Sequence, residues 1–169
     1  MIKTGVKCLL AAATAGALSL TWTAPASAAT IAATTTCTNP YTAAQAGPSS
    51  FDIEVPATAT VGTAVTVTVT YAFTNSSGYR VSDVNSFTQA ITTTGTSQNP
   101  VTVTAGSQGA VPNGSSVTVT ESGTWTPDQA GTATFTLGAF SFDTVVLGIT
   151  IPVSCTFDAT PPAVSSVVS

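Results

Sequence analysis

Histidine is absent from this sequence, and charge of either sign is scarce, with three Lys or Arg and seven Asp or Glu in 169 residues. Without His there is no Ser-His-Asp or Cys-His arrangement. Lys3 and Lys7 both fall in the first few residues, so beyond them Arg80 is the single base against seven acids. That removes a Ser-Lys dyad and Schiff-base chemistry. It also removes the basic footprint that a nucleic-acid binder needs, and an anionic membrane would repel the chain. No Gly-rich loop follows a strand and opens a helix, so no nucleotide cradle is expected. No Asp-x-Asp-x-Asp loop occurs, and neither a metal nor a cofactor is expected. Asp128 and Asp143 read as turn-forming side chains before they read as calcium ligands.

What is present begins with an address. Lys3 and Lys7 form a positive start, residues 8–20 are apolar, and Ala26-Ser27-Ala28 matches a signal cleavage site. The expected organisation is a secretory signal peptide over 1–28, a β domain over 29–159, and a disordered tail or linker over 160–169. Cys8 stands at the start of the apolar run, not after it, and is no lipid anchor. No later segment is apolar enough to span a membrane. Cys37 and Cys155 remain, and in an oxidising compartment they are expected to form one disulfide. Closing so long a loop is worth roughly 4–5 kcal/mol in chain-entropy terms.

The clearest pattern lies at 65–74. Val65, Val67, Val69, Tyr71 and Phe73 alternate with Thr66, Thr68, Thr70, Ala72 and Thr74. A period of two marks a strand with one face in a core and the other in water. Val-Thr-Val-Thr recurs at 101–104 and 117–120. Strands are also expected at 30–37, 51–55, 79–94 with a bulge near Val81 and Val84, 132–137, and one long strand from about 144 to 157. Loops are expected at 41–50, 94–99 and 105–113. No helix is convincing after the leader. The fold class is all-β, an antiparallel immunoglobulin-like sandwich of seven to nine strands with one disulfide; a closed barrel is the alternative.

Three stretches carry a resemblance: Thr35-Thr36-Cys37-Thr38-Asn39-Pro40, the run from Val55-Pro56 through Val61-Gly62 into the strand at 65, and Gly123-Thr124-Trp125-Thr126-Pro127-Asp128-Gln129-Ala130-Gly131. Together with the leader they resemble the secreted immunoglobulin-like sandwich proteins of actinobacteria, over about 35–157. That group has no assigned activity, so the resemblance implies a fold and a secreted location more than a function. The chain departs from antibody-type domains, in which a Trp follows the first Cys; here Trp125 lies nearer the second.

Paired carboxylates are the remaining route to catalysis. Glu54 alternates with apolar residues and should face water. Glu121 shares parity with Val117 and Val119, so it points inward or a bulge turns it out; it reads first as a strand-end or bulge acid and only then as a buried carboxylate with a raised pKa. No catalytic residue is assigned, and the protein is not expected to be an enzyme. Trp125, Phe140, Phe142 and Tyr79 are the candidates for a binding surface, though core packing is the first role of most of them. The expected function is a non-catalytic structural or adhesive role at the cell surface. The expected partner is a cell-wall glycan or another surface protein. A binding module for a glycan or small apolar ligand is the alternative, and a carboxylate hydrolase stands third.

Overall fold

The computed structural model describes residues 26–75 and 79–169. Most of the expected leader, and residues 76–78 of the expected turn after Asn75, lie outside these. The described residues form ten strands in order. They are β1 (Ala26–Asn39), β2 (Thr42–Pro56), β3 (Thr58–Ala59), β4 (Val65–Thr74) and β5 (Asp83–Gly95). After them come β6 (Val101–Ala105), β7 (Ser116–Trp125), β8 (Gly131–Val146), β9 (Ile149–Phe157) and β10 (Val164–Val168).

Eight of these close a ring in the order β8-β5-β6-β7-β4-β2-β1-β9, because β9 pairs both with β1 and with β8. The open immunoglobulin-like sandwich is therefore corrected to an eight-strand antiparallel barrel. The reason is physical. Alternation tells which face of a strand is buried, and it is the same in a sandwich and in a small filled barrel. Closure depends instead on which strands share edges. Cys155 is opposite Cys37 across one edge of β9 and opposite Phe140 across the other. The β6–β7 seam rests on one bridge, Thr104 to Ser122, so the ring retains two strongly paired halves.

The Cys37–Cys155 disulfide is formed, with Cα atoms 4.0 Å apart. Burial follows the alternation. On β4, Val67, Val69 and Tyr71 face inward, and on β2 so do Phe51, Ile53 and Val55. Each such aliphatic side chain contributes about 1.5–3 kcal/mol relative to an exposed one. The Thr residues of β4 face out. Thr70 and Thr120 join side chains at 3.1 Å across β4–β7, and Thr74 and Ser116 at 2.8 Å.

Other expectations are revised. The stretch 42–50, read as a loop, is the first part of β2, paired with β1 through Pro48 opposite Thr34. The long strand read from 144 to 157 folds back on itself. Leu147 and Gly148 both take positive φ, 51° and 80°, and form the two-residue turn between β8 and β9. The expected tail carries β10, which pairs antiparallel with β8 and parallel with β3, turning Val164, Ser166 and Val168 inward. The register of β5 against β8 shifts twice, between Asn85 and Thr88, where Ser86 has φ 57°, and between Gln89 and Ile91.

Candidate functional site

The expected surface of Trp125, Phe140, Phe142 and Tyr79 does not assemble. Trp125 is 1 % exposed and packs edge-on against Phe135 with ring centroids 4.8 Å apart. It sits at the end of the barrel where β7 finishes and β8 begins. Phe140 is buried and Phe142 half-buried on the inner face of β8, towards the other end. They join a cluster with Phe51, Tyr71, Phe73, Phe87 and Phe157. Phe142 stacks between Phe87 at 5.3 Å and Phe73 at 5.7 Å. Offset and edge-on pairs of this kind fill space and add about 0.5–1.5 kcal/mol beyond burial. Parity on a strand that turned out to be a barrel wall explains the burial. Tyr79, beyond the strands, is the exposed member of the four.

Glu121 points into the barrel and is fully buried. Its Oε1 accepts a long hydrogen bond of 3.5 Å from the Tyr71 hydroxyl, and its Oε2 has no partner among the described residues. Burial pushes its carboxyl up to about 7, against a smaller lowering by the Tyr71 bond. The same burial, with Glu121 beside it, raises the Tyr71 phenol above its ordinary range. Glu54 lies exposed on the outer face of β2. The two glutamates are thus on opposite sides of the barrel wall and do not flank a common cleft. Asp128 and Asp143 are also separated, one before β8 and one near its far end. Among the described residues no group of three or more potential metal ligands converges.

Two features were not read from the sequence. The first is the tip of the β8–β9 hairpin. Leu147 is 86 % exposed and Ile149 57 %. Val146 and Ile149 are opposite each other across the turn. At the same end the tip of the β1–β2 hairpin exposes Tyr41, and Tyr79 is exposed near Ser82, whose N–H and hydroxyl both donate to Val145 O. Beside them the Asp83 carboxyl is held below its usual range by hydrogen bonds from Ser107 and Asn85.

The second feature is a cleft of about 560 Å³ at the opposite end, between the β5–β6 and β7–β8 loops. Gly95, Thr96, Gln98, Asn99, Asp128 and Gln129 line it. Behind the lining, the fully buried Ser97 donates its hydroxyl to Asp128 Oδ1 at 2.8 Å and accepts the Asp128 N–H at 3.1 Å. Asn99 Nδ2 donates to Thr126 O, tying the two loops together. The signal that could have found this site was the Thr-Ser-Gln-Asn loop at 96–99 together with Asp128-Gln129 in the loop at 126–130, which read simply as turns.

No family model, curated protein or solved structure matches the chain. Among the described residues no helix is long and apolar enough to cross a membrane.

Proposed function

We propose that the protein works outside the cell as a non-catalytic β-barrel that adheres, through its apolar end, to another surface protein. The disulfide suits an oxidising compartment. The interior supports a scaffold: aromatic and aliphatic side chains fill the barrel, and the buried carboxyl of Glu121 has no exposed face from which to meet a substrate.

The observation that carries the adhesive reading is Leu147. It is 86 % exposed and holds φ 51°. The left-handed conformation costs a residue with a Cβ about 1–2 kcal/mol. Exposure forfeits the gain a leucine makes by burial. Asn or Gly would relieve both penalties at this turn. A residue unfavourable on two counts, with Ile149 beside it and Tyr41 and Tyr79 at the same end, fits a contact made in the assembled state.

Leu147→Asn tests the reading. The variant should melt at the same temperature as the parent or higher, while its retention on isolated envelopes of the producing cell falls about tenfold, equivalent to 1.4 kcal/mol. Retention unchanged in a folded Leu147→Asn protein would remove the hairpin from the function.

A further inference from the structure

The cleft at the other end of the barrel has a composition that selects its ligand by elimination. Three primary amides, Gln98, Asn99 and Gln129, line it with the Thr96 hydroxyl and the Asp128 carboxylate. No Lys or Arg lines it, so an anion would meet an acid with no counter-charge. A divalent cation would find one carboxylate, of which Oδ1 already accepts from Ser97. An apolar ligand would find neither an aromatic nor an aliphatic wall. What remains is a neutral molecule dense in hydroxyls, for which a planar amide offers a donor and an acceptor side by side and a carboxylate offers paired acceptors.

The lining is also fixed in place. Gly95 has φ 99°, and a Cβ there would collide with Thr132 O; a Cβ on Gly131, φ 133°, would collide with the Thr96 side chain. Ser97 clamps Asp128 from below, and Pro127 O accepts the Gly62 N–H at 2.8 Å, bracing the β7–β8 loop from behind. A volume of about 560 Å³ lies within the range of small-molecule sites. Preorganisation of this kind lowers the ordering cost of a weak polar ligand.

We propose that this cleft binds a short neutral oligosaccharide, with Gln98, Asn99, Gln129 and Asp128 as its hydrogen-bonding groups. The proposal stands apart from the adhesive role of the hairpin, since β8 starts at the cleft and runs the length of the barrel before it reaches Leu147. It gives the molecule a glycan contact at one end and an apolar contact at the other.

The test is titration of the full chain, followed by NMR of the side-chain amides, with cellotriose, chitotriose and maltotriose as probes and a galacturonic acid trimer as the anionic control. Saturable shifts of the Gln98, Asn99 and Gln129 amides with at least one neutral trimer are expected, and none with the acidic trimer. Gln98→Ala/Gln129→Ala, both on exposed side chains, should weaken that binding at least about tenfold without changing the melting temperature. The absence of saturable shifts with every neutral trimer up to about 10 mM, or tighter binding of the acidic trimer, would overturn the proposal. So would undiminished affinity in the folded double variant. Because Leu147→Asn leaves this end untouched, glycan binding that persists in that variant separates failure of the hairpin reading from failure of this one.

Discussion

Burial favours the protonated form of Glu121, because nothing described around it compensates a charge. Its single partner is the Tyr71 hydroxyl at 3.5 Å, and burial raises its carboxyl from the ordinary 4.5 to about 7. The folded state therefore favours the neutral acid. In that case the unfolded chain ionises first as pH rises, and the folded state retains its proton longer. The contribution to stability is whole below about 4.5, falls through the window up to about 7, and is flat above it. Each pH unit in that window is worth about 1.4 kcal/mol, or about 3 kcal/mol over the whole of it. Glu121→Gln, neutral at every pH and close in shape, should abolish that slope when thermal unfolding is followed from pH 4 to 8. A slope of equal size in the variant would show that another group is responsible. Parity with Val117 and Val119 left the direction of Glu121 open, and its first reading as a strand-end or bulge acid is corrected: β7 pairs with β4 without a register shift at Glu121, so the side chain stays inward. Its partner was not legible, because Tyr71 is fifty residues away in sequence and meets it only through the pairing of β4 with β7.

At the scale of the element, alternation gave most of the strands and hid two turns of events. The tip of β8–β9 carries neither Asn-Gly nor Asp-Gly, the usual hairpin signal. Val145, Leu147 and Ile149 share a parity that reads straight through the bend, so one strand was expected where two exist. The stretch at 42–50 failed for the opposite reason: Gly47 and Pro48 look like loop residues, but β2 pairs with β1 alone before Ser50, where Pro is tolerated. The β6–β7 seam depends on a glycine. A Cβ on Gly123 would collide with Thr102 O and press on Val103 Cγ1 at 3.1 Å. With a single bridge at this seam, Gly123→Ala should cost about 1–3 kcal/mol. It should also speed amide exchange across β6 selectively, while β1 and β2 stay protected. Uniform exchange across all strands would show that the seam is no weaker than its neighbours.

For the whole molecule the question is what closes the ring. Two strongly paired halves meet at the slender β6–β7 seam on one side and at β9 on the other. The cysteine pair, and its place between the first and the last expected strands at 30–37 and 144–157, were legible in the sequence. The closure was not, because only the pairing of β9 with both β1 and β8 turns that bridge into part of a barrel. The disulfide joins β1 to β9 at directly opposed positions, one residue from where their pairing ends at Thr38 and Ser154. It therefore cross-links the ring where the β1–β9 ladder is short, running from Thr35 to Thr38. Cys37→Ser/Cys155→Ser removes a closure worth about 2–5 kcal/mol, a large share of the stability of a domain this size. The melting temperature should fall by several degrees or more, about 2–4 °C for each kcal/mol. The loss should also be local: amides of β9 facing β1 should exchange faster than those facing β8, whose ladder with β9 is longer. Equal melting temperatures for parent and double variant under oxidising conditions would mean that the pairing of β9 closes the barrel without the bridge.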